Sequence, residues 1–341
     1  MSASEWFLGV ACAVGSGLLT GWIRRYAVSR GILDVPNARS SHKQVTPRGG
    51  GAAIVLVSML AFVSLVARDW NEWPLFVSLV VGGAMVALVG FLDDRRPVSP
   101  GIRIAAHFAA ATLAVGLMGG LGDLQWGTHV VQSGWLGNVL AVFGIVWVIN
   151  LFNFMDGIDG IAGSEAVFVT LAGSLLPVFS GSTGATSLAG IAVAGSTAGF
   201  LFWNWPPARI FMGDVGSGYL GLMIAVLALS AGHENPVAIW VWLVLGGSFF
   251  VDATITLLRR VARGEKAYEA HRTHSYQWLS RRWNSHRRVT LLAVLINVAW
   301  LLPLAVWAWE IPGSASWIAA AALGPLAVLC LVAGSGRKEG K

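Results

Sequence analysis

Eleven apolar runs, each near the length of a membrane-crossing helix, leave this chain few ways to fold. They cover roughly residues 6–23, 50–67, 74–92, 104–121, 136–154, 161–179, 186–203, 215–231, 237–258, 289–309 and 315–333. A helix needs about 20 apolar residues to cross a bilayer core. No soluble domain of 341 residues can bury a composition that is 55% hydrophobic and 12% charged. The expected fold is therefore all-α and polytopic, with about 11 transmembrane helices. The first run has no basic leader and is followed by Arg24 and Arg25, so it reads as a retained span rather than a signal peptide. Cys12 and Cys330 match no disulfide or metal spacing and read as inert. With no internal repeat and no soluble segment, residues 1–341 read as one integral membrane domain with a short disordered tail over about 334–341.

Charge orients the spans. An odd number puts the termini on opposite sides. With the N-terminus outside, the connectors after spans one, three, five, seven and nine and the C-terminal tail hold 6, 3, 0, 1, 9 and 3 Lys/Arg, which is 22 of the 23. Only Arg68 falls on the other side. Such asymmetry marks the cytoplasmic face. The expected topology has a periplasmic N-terminus, a cytoplasmic C-terminus and any site facing the cytoplasm. Asp93, Asp94, Asp156, Asp159 and Asp214 all fall on that face, as do His42, His271 and His274. The outer connectors carry Glu5, Asp69, Glu72, Asp123, Glu234 and Glu310 without pattern.

The inner acids are patterned. A carboxylate at mid-bilayer costs roughly 2.5–3.5 kcal/mol on insertion scales, so acids kept at span ends usually mark a site. In the run Asn150-Leu-Phe-Asn153-Phe-Met-Asp156-Gly-Ile-Asp159-Gly, a spacing of three lets Asn150, Asn153 and Asp156 share a broad helix face. Two amides in an apolar helix end need partners. Gly157 and Gly160 should break the helix, leaving Asp159 either as N-cap of the next span or as part of the site. Asp93–Asp94 ends span three. Two acids there oppose the helix dipole unless cations compensate, and Arg95 and Arg96 are the adjacent candidates. Phe211-Met-Gly-Asp214-Val-Gly-Ser217 is a Gly-rich turn entering span eight, suited either to backbone approach by phosphate or to a carboxylate holding Mg²⁺. Two basic loops complete the set. One carries Arg39, His42, Lys43 and Arg48, and the other His271-Arg272-Thr-His274-Ser-Tyr276-Gln277. Topogenic charge accounts for most of their basic residues but not for the paired His.

Several acids, two Asn, a Gly-rich turn and basic/His loops on one membrane face suit phosphoryl transfer between a soluble diphosphate and a lipid acceptor. Asp34-X-Pro-Asn…Arg39-Ser-X-His42-Lys43…Thr46-Pro-Arg48-Gly-Gly-Gly, Asp93–Asp94, the Asn/Asp run, Phe-Met-Gly-Asp-X-Gly-Ser and the late His loop, in that order over about residues 30–280, resemble the polyprenyl-phosphate N-acetylhexosamine-1-phosphate transferases of glycosyltransferase family 4. The likeness implies a helical bundle with a cytoplasmic cleft, often a homodimer, in the bacterial inner membrane. It implies transfer of an amino-sugar 1-phosphate from a UDP-sugar to undecaprenyl phosphate, with release of UMP and use of Mg²⁺, or Mn²⁺ in its place. It implies Asp214 as metal ligand, Asp93 and Asp94 at the reacting phosphates with Asp93 as base, and Asn153 and Asp156 at the uridine diphosphate. Asp159 would stand beside them and Asn150 among the substrate-binding residues. Lys43, Arg48 and Arg103 would bind lipid phosphate or diphosphate, and His271, Arg272 and His274 the donor. Membrane lipids are expected neighbours and nucleic acid is not an expected partner.

The His loop departs from relatives that carry a triple-His element ending His-X-His-His. Its His-Arg-X-His-X-Tyr-Gln form is similar to that of O-antigen-initiating transferases, which accept UDP-N-acetylfucosamine or UDP-N-acetylquinovosamine. UDP-N-acetylglucosamine stays open as donor. An ion-coupled secondary transporter is the main rival, but its acids would sit at the midplane of broken helices, often with internal repeats. A CDP-alcohol phosphotransferase would need Ala-Arg soon after Asp156-Gly and two further spaced Asp; span six offers only Glu165.

Overall fold

The computed structural model describes residues 3–35, 45–67, 69–265 and 272–337. It is a helical bundle. The spans are α1 (Ala3–Ser29), α2 (Gly51–Val66), α3 (Trp70–Arg95), α4 (Pro100–Leu117), α5 (Gly134–Met155), α6 (Ile161–Phe179), α7 (Ala185–Asn204) and α8 (Asp214–Glu234). Then follow α9 (Ala238–Leu245), α10 (Gly247–Val261), α11 (Ser275–Trp283), α12 (His286–Glu310) and α13 (Ala315–Ala333). Among the described residues nine helices are long and apolar enough to cross a membrane, α9 with α10 could make a tenth, and α2 is apolar but shorter. Every apolar run of the sequence is thus helical.

The run at 237–258 is not one straight span. It breaks by 73° between Leu245 and Gly247. A Gly246–Gly247 pair sits at the break, where missing side chains make a sharp kink inexpensive. The all-α expectation also omits two short antiparallel ribbons. β1 (Leu33–Asp34) pairs with β2 (Thr46–Pro47), and β3 (Asp123–Trp126) with β4 (His129–Gln132). Nor does the ordered chain stop at the end of α13. Ser335 Oγ donates to Asp252 Oδ1 at 3.1 Å, and the Gly336 N–H donates to Thr273 O at 2.7 Å. Residues 334–337 therefore pack onto α10 and the start of α11, which corrects a tail beginning at 334.

Helix α8 is the centre of the bundle, 94% buried over its most apolar stretch. Its sequence is apolar all round and carries Gly216, Gly218 and Gly221, which let neighbouring backbones approach. Helices α2, α3, α5, α6 and α7 pack around it. Outward faces carry large apolar side chains such as Phe7, Leu18, Phe143 and Trp317, each more than half exposed. A surface of that kind is stable only against lipid.

Candidate active site

The site is built where the end of α3 meets the start of α8. Gly90 lies so close to α8 that a Cβ there would run into the Asp214 backbone. That approach carries Asp94, one turn further on, to the first turn of α8. Asp94 Oδ1 accepts the Asp214 N–H at 3.0 Å, and Oδ2 accepts that of Val215 at 3.1 Å. The next two amides, of Gly216 and Ser217, donate to Gly213 O at 3.1 Å each. Gly213 has φ +76°, and a side chain there would meet the Asp94 carboxylate. All four N-terminal amides of α8 are thus satisfied internally. The expectation that this turn offers its backbone to phosphate is corrected: α8 presents a side chain, Asp214, instead.

Asp93 faces the other way round the helix. Its carboxylate accepts the Val98 N–H and Arg103 Nη1, each at 2.6 Å. Arg103 Nη1 also lies 3.7 Å from Asp214 Oδ2, and the Asp93 and Asp214 carboxylates approach within hydrogen-bonding reach. Arg48 Nη2 binds Asp34 Oδ2 across the β1–β2 ribbon at 2.7 Å, and its Nη1 stands 3.8 Å from Asp94 Oδ1. The cations at this helix end are therefore Arg103 and Arg48, brought in by folding. Arg95, the local candidate, lies over the Phe91 ring at 4.2 Å.

Beside these acids is an open cleft of about 380 Å³, lined among others by Arg103, His107, Asn150, Asn153, Phe154 and Asp214. Asn150 Nδ2 donates to Val146 O at 2.7 Å and lies 3.2 Å from His107 Nδ1. Asn153 Nδ2 donates to Ser217 Oγ at 3.2 Å. The two amides do share a face, as their spacing requires. Asp156 ends α5. Burial, then the charges of Asp214, Asp94 and Asp159, push its carboxyl well above the ordinary carboxylate range.

Asp159 does not cap α6. The capping position is Gly160, at φ +75°, with no side-chain bond to the helix. The Asp159 carboxylate reaches sideways, accepting the Ala208 N–H at 3.1 Å and facing His286 Nδ1 at 3.2 Å. The carboxylate is taken up by these two partners from distant segments, which leaves none of its oxygens on the first amides of α6.

The His loop is placed only in part. Lys43 and His271 lie outside the described residues. Arg272 is half-buried, and its carbonyl accepts Arg281 Nη1 at 3.0 Å. His274 is buried, stacked between Phe154 and Tyr276, with Nδ1 3.8 Å from Asp252 Oδ1. Tyr276 Oη donates to Phe154 O at 2.9 Å, tying the start of α11 to the Asn/Asp run.

The family model described as "Glycosyl transferase family 4" matches residues 76–232, which hold the Asp93–Asp94 pair, the Asn/Asp run and Asp214. A phospho-N-acetylmuramoyl-pentapeptide-transferase of Streptomyces coelicolor is 32% identical over 297 residues, 73% of this chain and 80% of that protein. The chain belongs to glycosyl transferase family 4. A probable undecaprenyl-phosphate N-acetylglucosaminyl 1-phosphate transferase of Bacillus subtilis is 29% identical to this family member over 82% of its length and 78% of the relative. A decaprenyl-phosphate N-acetylglucosaminephosphotransferase of Mycolicibacterium smegmatis is 26% identical, over 84% and 78%.

Four residues of this family 4 member are missing from the sequence reading. His107 follows Arg103 by one helical turn, a spacing that puts both on one face of α4 and could have flagged it. Asp252, Asn204 and His286 carry no such local signal, because their partners are distant in sequence. Among the described residues the site holds more carboxylates than nearby cations. Asp93 and Asp214 face each other, and among the described residues no side chain donates to Asp156. Among the described residues no three acids or His converge as a complete metal cage. The facing carboxylates of Asp93 and Asp214 are oxygen donors of the kind Mg²⁺ takes, one or two at a time, with phosphates and water completing its shell.

Proposed function

We propose that this protein transfers an N-acetylated amino-sugar 1-phosphate from a UDP-sugar to undecaprenyl phosphate. A phosphate oxygen of the lipid attacks the phosphorus that bears the sugar, the bond to UMP breaks, and undecaprenyl-diphospho-sugar is formed. The observation that supports this most is the meeting of Asp214, Arg103 and the two Asn at one cleft with Asp93 and Asp94 beside it, on the side of the bundle where the basic connectors lie, which favours the cytoplasmic face of a bacterial inner membrane.

The described residues have tasks set by their contacts, and Lys43 and His271 have those the family resemblance implies. Asp94 fixes the first turn of α8 and so aims Asp214 into the cleft. Asp214 is the principal ligand for Mg²⁺, which when bound neutralises the diphosphate. Arg103 and Arg48 hold phosphate oxygens while keeping Asp93 and Asp94 in place. Asp93 takes the proton of the lipid phosphate or orients it. Asn150, Asn153 and Asp156 face the uridine diphosphate, with Asp159 beside them. Lys43, His271 and Arg272 complete the phosphate and donor contacts from the two loops, with His274 anchoring the second. The His-Arg-X-His-X-Tyr-Gln segment favours a deoxy amino sugar, and the names of the relatives favour N-acetylglucosamine. O-antigen or a related surface glycan is the product's use.

The test is release of UMP by purified protein given undecaprenyl phosphate, Mg²⁺ and a panel of the three UDP-amino sugars. One donor should be preferred, and chelation should stop turnover. Asp214→Asn should lower kcat on the order of 10³-fold, because several kcal/mol of charge stabilisation is lost, with expression and melting temperature near wild type. No UMP from any donor, or a fully active Asp214→Asn variant, defeats the reading.

A further inference from the structure

The turn that carries Asp159 is held from three directions. The Gly160 N–H donates to Asn204 Oδ1, at the end of α7, at 2.9 Å. The Ala208 N–H, from the loop between α7 and α8, donates to Asp159 Oδ2 at 3.1 Å. The third hold comes from the far end of the chain. Thr290 and His286 stand one turn apart at the start of α12, on the same face. Thr290 Oγ1 donates to Asp159 O at 2.9 Å. His286 Nδ1 lies 3.2 Å from Asp159 Oδ1 and 3.4 Å from the Asp159 backbone nitrogen.

Those two atoms are opposite in kind. A protonated Nδ1 donates to the carboxylate; an unprotonated one accepts the backbone N–H. With Nδ1 protonated, the imidazole donates to one carboxylate oxygen while the Ala208 N–H holds the other. The carboxylate plane is set by two segments that are both remote in sequence. Both side chains keep some exposure, 18% for His286 and 13% for Asp159, so the pair lies at the edge of the site and not in the core.

Asp214, Asp94 and Asp159 all act on Asp156. Asp214 has Arg103 beside it and Asp94 has Arg48. His286 is the corresponding neighbour of Asp159. Among the described residues, each of these three carboxylates therefore has a basic side chain supplied by another element.

We propose that His286 is a positioning residue for the sugar-nucleotide donor. It holds the Asp159 carboxylate as a fixed acceptor for N–H and O–H groups of a nucleoside diphosphate sugar. The proposal rests on the reading of this chain as a UDP-sugar transferase. It also gives the α11–α12 segment a second route to the donor, because α11 joins the Arg272–His274 loop to His286.

The test uses full-length protein in lipid nanodiscs, with UMP binding measured by calorimetry and initial rates measured against donor and lipid separately. His286→Ala should raise the donor KM and weaken UMP binding by about tenfold, the loss of one charge-assisted hydrogen bond. Its kcat and lipid KM should stay within about twofold. His286→Asn, which keeps an N–H donor near the position of Nδ1, should recover most of the loss. Thr290→Val removes the neighbouring bond to the Asp159 main chain and should leave the donor KM within about twofold, separating carboxylate positioning from packing of α12. The proposal is overturned if His286→Ala leaves donor KM and UMP binding unchanged, if kcat and melting temperature fall together at constant KM, or if Thr290→Val reproduces the effect. Wild-type protein that binds UMP but releases none from any donor would sink the transferase reading while the binding arm still reports on His286. Wild-type protein that does neither overturns both.

Discussion

Asp94 and Asp252 make the same contact with two different helices. Asp94 on α3 accepts the first two amides of α8, of Asp214 and Val215, at 3.0 and 3.1 Å. Asp252 on α10 accepts the first two of α11, of Ser275 and Tyr276, at 2.9 and 3.2 Å. Each places a negative charge at the positive end of a helix dipole, and each fixes where that helix begins. They differ in what surrounds them. Asp252 is 4% exposed and closed in by Thr256, His274 and Ser335. Asp94 sits beside Asp93 and Arg48, and the residue it fixes, Asp214, lines the open cleft. The clamp is a structural device in both places. What differs is what the clamped helix presents: Asp214 to a cleft in one case, Tyr276 to a buried carbonyl in the other.

That comparison can be broken most directly at Asp94. Asp94→Asn keeps one acceptor and loses the charge, so α8 should start less firmly and, if Asp214 is the metal ligand proposed above, UMP release should fall by about 100-fold, near the upper end for groups that orient such a ligand. The melting temperature should move little. Activity near wild type would show that Asp94 is only a cap. Gly90→Ala tests the same junction through packing. The added methyl must push α3 away from the Asp214 backbone, and a shift of most of an ångström should cost about 50-fold in rate. An unaffected rate would show that the α3–α8 spacing does not set the site. The smallest effect on turnover is expected at Asp252. Asp252→Asn should destabilise the protein by about 2–3 kcal/mol, since a buried set of donors loses its charged acceptor. The folded fraction should then turn over within about threefold of wild type, judged by activity normalised to folded protein. A large loss in that normalised rate would place Asp252 in the site after all.

Much of this was legible beforehand. The apolar runs located every long helix, because the need to cover backbone and side chains in lipid acts residue by residue along the chain. The acids at span ends were legible for the same reason, being expensive exceptions in an apolar background. Asn150 and Asn153 could be placed on one face because their relation is local, within a single helix. Three things were not. The break at Gly246 is invisible to hydropathy, since both halves are apolar. The turn at Asp159 reads as a cap in sequence because Asp commonly precedes a helix, and only folding brings up the distant Ala208 and His286 that take its carboxylate. The compensation of Asp93 and Asp94 reads as local Arg95 and Arg96, yet it comes from Arg103 and Arg48.

The sequence by itself determined that this is a multi-pass membrane protein, which segments are helical, and which side chains are chemically out of place in lipid. Those are properties of short windows, governed by the free energy of moving each group out of water. The tertiary structure decided which of those side chains face one another. Asp94 meets Asp214 across 120 positions and Asp159 meets His286 across 127. Pairings at such distances depend on how whole helices pack, through close approaches such as Gly90 against α8. Packing is a property of the assembled bundle that no window of the chain contains.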